Sequence, residues 1–255
     1  MLWSTRNLME TVIQAEDDEV GRCKDFLIDD IDWYVRYMVA DTHKWLPGRK
    51  VLISPIAVGT PDWERKYIPV KMPRSKIESS PPLDSNAPVS RRYERQYFNH
   101  FGWAPYWIGP GGWGAVPYPY LAFEMQQQLT AQKKEEDPEK THLRSLKELT
   151  DYTVHAEDED VGTLHECMVE IPSWAIRYIA VDVSKWYQLK GRKILIIPDC
   201  VTDVNWADTR IDIDITQEDI KNCPEYDEEA PIERDFEIVL HDYYGWPKYW
   251  EDVRW

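Results

Sequence analysis

Polar and apolar positions alternate most regularly late in the chain, where Arg210-Ile-Asp-Ile-Asp-Ile sends Ile211, Ile213 and Ile215 to one side and Asp212 and Asp214 to the other. A period of two is that of a strand with one wet face. Lys193-Ile194-Leu195-Ile196-Ile197 is a continuous apolar run, predicted as a buried strand that Pro198 ends. Residues 176–183 mix β-branched and aromatic side chains with partial alternation. Residues 153–156 and 161–169 flank the polar run Glu157-Asp158-Glu159-Asp160, the pattern of a hairpin. The period then lengthens. Thr216 heads a short helix with an acidic first turn, broken at Pro224. After Pro231, placed in a first helical turn, Ile232, Phe236, Val239, Leu240 and Tyr243 recur at helical spacing.

The same succession occurs earlier. Shifted by 141 residues, Ala15-Glu16-Asp17 falls on Ala156-Glu157-Asp158, Val20-Gly21 on Val161-Gly162, Trp33 on Trp174, and Arg36-Tyr37 on Arg177-Tyr178. Two extra residues enter the second copy at Gln188-Leu189-Lys190. The shift is then 143 for sixty columns, pairing Gly48-Arg49-Lys50 with Gly191-Arg192-Lys193 and closing with Tyr106-Trp107 on Tyr249-Trp250. Twenty of those sixty columns are identical, against roughly 4 expected from ordinary residue frequencies. The chain is therefore two copies of one unit, 1–107 and 143–255, joined by residues 108–142. Each copy is predicted to hold five or six short strands followed by two helices, the first copy carrying its stripe on Val89, Tyr93, Gln96, Tyr97 and His100. Many short strands closing on themselves leave no free sheet edge. The predicted fold class is mainly β with short helices: two tandem small β-barrels related by the repeat. In the connector, Ile108-Gly-Pro-Gly-Gly-Trp-Gly and the following Ala-Val-Pro-Tyr-Pro-Tyr exclude regular structure. Good helix formers over about 121–134 predict a short helix stopped by Glu135-Glu136-Asp137-Pro138.

The order Val20-Gly21, Trp33, Arg36-Tyr37, Asp41, Lys44-Trp45, Gly48-Arg49-Lys50, Leu52-Ile53 and Pro55, matched at 161–198, resembles the PRC-barrel domain. That small barrel occurs in the cytoplasmic part of the photosynthetic reaction-centre H subunit and in a bacterial ribosome maturation factor. The downstream Pro224-Glu225-Tyr226-Asp227, Pro231-Ile232, Arg234, Glu237 and Tyr243-Tyr244-Gly245-Trp246-Pro247 are similar to the tail of tandem PRC-barrel proteins of bacteria. The resemblance implies barrels that bind other proteins, and it brings no catalytic residues. The transmembrane helix of the reaction-centre relative and the N-terminal domain of the ribosome factor have no counterpart here.

Charge narrows the partners. The 255 residues hold 46 acidic and 30 basic groups, a net charge of −16, which repels a polyanion, so nucleic acid is not expected. The imbalance is unequal: residues 1–107 are neutral with 15 groups of each sign, the connector is −2, and residues 143–255 are −14. Either one copy packs on a partner while the other faces solvent or a basic surface, or exposed positions have drifted. The apolar stretches are strand-sized, far below the roughly 18–20 residues of a membrane-spanning helix. The N-terminal stretch is not a secretory signal, and a cytoplasmic location is expected.

Candidate chemistry is sparse. Cys23, Cys167, Cys200 and Cys223 have no paired spacing and read as reduced, buried thiols. Glu16-Asp17-Asp18-Glu19 and Glu157-Asp158-Glu159-Asp160 read as solvated hairpin tips, since four successive acids cannot all aim at one calcium ion. His43, His100, His142, His155, His165 and His241 show no zinc spacing. No nucleophile elbow, P-loop or dinucleotide fingerprint appears, and no cofactor or metal is expected. Arg36 with Asp41, Arg177 with Asp182, Arg91 with Glu94 and Arg234 with Glu237 recur in both copies and read as ion pairs. Trp33, Trp45, Trp63, Trp103 and Trp107 have partners in copy two and are expected to fill barrel cores or the seam between copies. Trp113, Tyr118 and Tyr120 have none. Set among glycines and prolines, they form the candidate interaction surface, to be covered by the barrels, a second subunit or a protein partner. The reading is a non-enzymatic interaction or scaffold module. The alternative is a binder of an aromatic or isoprenoid small molecule in a cleft between the repeats.

Overall fold

A computed structural model of the chain describes residues 1–42, 50–62, 64–83, 89–125, 142–187 and 191–251. His43, Lys44, Trp45, Gly48, Arg49, Trp63, the insertion at Gln188-Leu189-Lys190 and the predicted helix past residue 125 lie outside the described residues. The fold is mainly β, with two sheets and eight short α-helices among the described residues. Two compact units divide the chain. The first comprises Met1 and residues 3–148 and 169–176, the second Leu2 and residues 149–168 and 177–255.

From the N-terminus the elements are β1 (Leu2–Ser4), α1 (Thr5–Leu8), β2 (Val12–Gln14), β3 (Glu19–Asp29), β4 (Val35–Asp41), β5 (Lys50–Ile53), a 3-10 turn at Pro55–Ala57, β6 (Tyr67–Pro69), α2 (Arg74–Glu78) and α3 (Arg91–Phe101). The connector then gives α4 (Pro119–Glu124). The second series runs β7 (Leu143–Ser145), α5 (Leu146–Leu149), β8 (Thr153–His155), β9 (Asp160–Glu170), β10 (Ala175–Asp182), α6 (Ser184–Tyr187), β11 (Lys193–Ile196), a 3-10 turn at Pro198–Cys200, β12 (Val201–Asn205), β13 (Arg210–Ile213), α7 (Gln217–Asn222) and α8 (Arg234–Tyr244).

In the first unit the sheet order is β5-β4-β3-β2-β6, with β7 pairing β3. At eleven residues β3 is long enough to carry both β2 and β7 along one edge while β4 takes the other. Half-buried Asp25 fastens the β7 segment, accepting from the Ser145 hydroxyl at 2.6 Å and the Lys147 N–H at 3.0 Å. The second sheet runs β11-β10-β9-β8-β13-β12, and β1, whose Leu2 belongs to that unit, joins it beside β9. Among the described residues both sheets are open paths, with no pairing between β5 and β6 or between β11 and β12. Pairings fall at corresponding columns: Ile13 opposite Gly21 and Ile68 in one sheet, Val154 opposite Gly162 and Ile211 in the other. Where the second unit has strand β12, the first has, among the described residues, the bridges Val58 to Val70 and Asp62 to Tyr67.

Strand expectations for the second copy agree with the observed elements. Ile211, Ile213 and Ile215 are buried, while Asp214 is exposed. The acidic tips also cap helices: Asp17 accepts from the Arg74 N–H at 2.7 Å at the start of α2, and Asp158 from the Gln217 N–H at 3.1 Å at the start of α7. Carboxylates satisfy first-turn amide groups that no helical carbonyl reaches.

Four local expectations are corrected. The α8 stripe is rotated: Glu237, Leu240 and His241 face inward, whereas Val239 and Tyr243 are 56% and 40% exposed. In α3 the buried face is Arg91, Glu94, Tyr97, Phe98 and Phe101, and Gln96 and His100 are exposed. Hydrophobicity alone places these faces wrongly because each helix turns a bonded carboxylate into the interior. Helix α8 also begins at Arg234, with Glu233 as cap, so Pro231 precedes it. Arg36 pairs with Asp29 and Asp32, at 3.4 Å each, and not with Asp41. Positions five apart on a strand point to opposite faces.

Candidate functional site

The last turns of α3 and α8 build the same device. Gly102 and Gly245 adopt left-handed conformations, φ 73° and 69°, that end the helices and bring the chain back. The Trp103 N–H then reaches the Phe98 carbonyl at 3.0 Å, and the Trp246 N–H the His241 carbonyl at 2.9 Å. Each indole is thereby laid on a ring of the final turn: Phe101 on Trp103, centroids 4.7 Å apart at 17°, and Tyr244 on Trp246, 4.1 Å apart at 12°. The surroundings of these two stacks differ.

In the first unit the stack lies under the connector. Helix α4 packs on the Pro55–Ala57 turn, Ala122 is buried, and Phe123 stands 6.4 Å from Trp103 with the Lys71 ammonium 5.8 Å above its ring. Lys76 lies 5.9 Å over Phe101. Pro119 supplies the first residue of α4, where its fixed φ suits a helix start. In the second unit the corresponding residues line a cleft of about 350 Å³, floored by Ile197, Cys200, Ile215, Tyr244 and Trp246. Its rim carries Asp199, Asp214 and Asp219, in the columns held by Ile56, Lys71 and Lys76 in the first copy. Both lysines that embrace an aromatic ring in one unit are thus aspartates in the other. Tyr243 closes a side by donating its hydroxyl to the Asp219 carbonyl at 2.9 Å. Burial, and then the neighbouring Asp214, push the Cys200 thiol up to about 12, so it offers no thiolate nucleophile.

Inward carboxylates form a second pair of matched arrangements. Glu94 accepts from Tyr37 at 3.0 Å and Tyr106 at 2.9 Å, and pairs with Arg91 at 2.8 Å. Glu237 accepts from Tyr178 at 2.9 Å and Tyr249 at 2.7 Å, and pairs with Arg234 at 2.9 Å. The Arg–Glu pairs read from sequence are therefore present, each enclosed by tyrosines. Burial raises Glu94 to about 7, outweighing Arg91 and the two tyrosine hydroxyls. A carboxyl whose folded pKa exceeds the unfolded value favours the native state when protonated. Its contribution is complete below about pH 4.5, declines as pH rises towards about 7, and is flat above. Glu94→Gln is expected to remove this slope: the stability of wild type relative to the variant, from urea titrations across that range, falls with rising pH. A difference independent of pH would refute the assignment.

A third grouping joins His165, Glu166 and Glu228, whose ligand atoms lie within 4.8 Å of one another. Lys193 sits 2.8 Å from Glu228 and His165 3.1 Å from it. Hydrogen bonding from Lys193 leads in holding the Glu228 carboxyl below its ordinary value. An ammonium thus already supplies the cation this group would otherwise attract. Cys23, Cys167, Cys200 and Cys223 are buried and outside any disulfide, and burial raises each thiol.

The connector aromatics part company. Trp113 is 2% exposed, covered by its own chain: its indole N–H donates to the Ser173 carbonyl at 2.7 Å, and Tyr34 and Tyr106 meet it edge-on. Tyr118 and Tyr120 stack on each other at 5.7 Å and remain half-exposed. The three do not form one surface. Sequence reasoning missed the cleft of the second unit, although the exchange of Lys71 and Lys76 for Asp214 and Asp219 is visible in the repeat register.

No protein-family model matches the chain, and no curated protein matches it. No helix among the described residues is long and apolar enough to cross a membrane.

Proposed function

We propose that the chain is a non-enzymatic protein-interaction module built of two PRC-barrel-like repeats, the first closed on its own connector and the second presenting its cleft to a partner. One observation carries this reading: the aromatic stack that takes Phe123 in the first unit lines a cleft in the second. A duplicated unit needs no new fold to acquire recognition, only a place where one copy leaves to another protein what its sibling fills itself. Buried carboxylates tied to tyrosines and arginines, and thiols held protonated, suit a structural role better than acid–base or nucleophilic chemistry. A cytoplasmic setting agrees with four cysteines outside any disulfide.

Affinity purification from the native host, followed by native mass spectrometry, tests the reading. The expected result is one dominant polypeptide held in simple stoichiometry. A stoichiometric small molecule with no polypeptide would overturn it and favour a ligand-binding protein.

A further inference from the structure

We infer that the cleft of the second unit receives an aromatic side chain carried on a basic segment of a partner protein. The inference rests on the interaction reading above and names the chemistry of the partner. The first unit supplies the template: a short helix lowers Phe123 towards the Phe101–Trp103 stack, and two lysines flank the rings. The second unit keeps the stack, as Tyr244 on Trp246, and keeps the apolar floor through Ile197 and Ile215. About 350 Å³ is enough for a phenyl or indole side chain with part of its backbone.

The rim decides the charge of the guest. Asp199, Asp214 and Asp219 are all exposed at the mouth, and residues 143–255 carry a net charge of −14. An acidic or neutral peptide would lose the attraction, whereas lysine or arginine beside the aromatic anchor would pair with the rim and speed encounter. Division of labour follows: the buried ring supplies affinity and the exposed carboxylates supply selectivity.

The test uses the full-length chain and a fluorescent peptide with the sequence of residues 117–125, carrying Glu124→Arg and Met125→Lys. The unaltered peptide is the control, and both are titrated by anisotropy. The basic peptide is expected to bind at least about tenfold more tightly than the control, about 1.4 kcal/mol. Asp214→Lys and Asp219→Lys, singly and together, should weaken it progressively. Raising salt from about 50 to about 500 mM should weaken binding to the unaltered protein, a readout that needs no variant. Equal affinity for both peptides, indifference to the rim substitutions and to salt, or complete displacement by spermidine would each overturn the inference, the last because a cation alone would then satisfy the site. Failure here beside a captured polypeptide partner would reject the basic aromatic anchor and leave the interaction module standing; a small molecule in place of that polypeptide would reject both.

Discussion

Arg36→Ala is expected to destabilise the protein by about 3–5 kcal/mol, the usual result of removing one member of a buried ion pair. The side chain is 1% exposed and reaches Asp29 and Asp32 at 3.4 Å each. It also donates to the Gly112 carbonyl. Its guanidinium lies 3.9 Å from the centroid of Tyr106, 4.8 Å from Tyr34 and 5.2 Å from Trp113, so three rings and a connector carbonyl depend on one cation. The loss leaves Asp29 buried beside an empty volume and removes the reason for the Gly111–Val116 turn to lie where it does. Urea titration measures the loss, and limited proteolysis should show new cleavage near Gly112. Arg177, in the matching column of the second copy, is only partly buried, with Tyr249 at 4.2 Å. Its replacement should cost about 1 kcal/mol, the scale of an exposed cation–π contact. Equal losses for the two variants would contradict this account.

The second large effect is steric. A Cβ on Gly21 would stand 1.9 Å from the Asp41 carbonyl oxygen, and the residue has φ +148°, a conformation closed to L side chains. Neither the β3 nor the β4 backbone can yield without breaking its ladder. Gly21→Ala should therefore cost about 3 kcal/mol or more, combining backbone strain with overpacking. At Gly162 the added atom would meet the Asp182 oxygen at 2.5 Å and a Val181 methyl at 2.7 Å. There the positive-φ strain is missing, and Gly162→Ala should be the milder variant. Denaturation midpoints order the two, and the reverse order would show that the close approach of neighbouring strands is not what holds these glycines.

Strands were legible in the chain because they are decided by neighbours two residues apart. Ile211, Ile213 and Ile215 carry their own orientation, and Pro198 marks where β11 stops. The correspondence of residues 48–107 with 191–250 in the sequence pointed to the matching elements of the less regular first segment. Helix faces were harder to read, since Glu94 and Glu237 point inward only because tyrosines distant in sequence donate to them. A hydropathy stripe cannot register a buried charge whose partners sit on other elements. The same limit applied to Trp113. Its covering by Tyr34, Tyr106 and Ser173 is long-range, whereas its local surroundings of glycine and proline indicate exposure. The cleft escaped because its signal is a contrast between copies: an acid pair means little until its column is known to hold lysines around a ring.

The first compact unit is completed by residues 143–148 and 169–176, which the repeat assigns to the second copy. Leu27 to Asp29 find their ladder partners in Leu143 to Ser145. Severing the polypeptide at the connector would therefore not release two autonomous halves. The N-terminal fragment would carry an unfinished edge seeking a replacement strand, and a copy of itself would be the nearest donor.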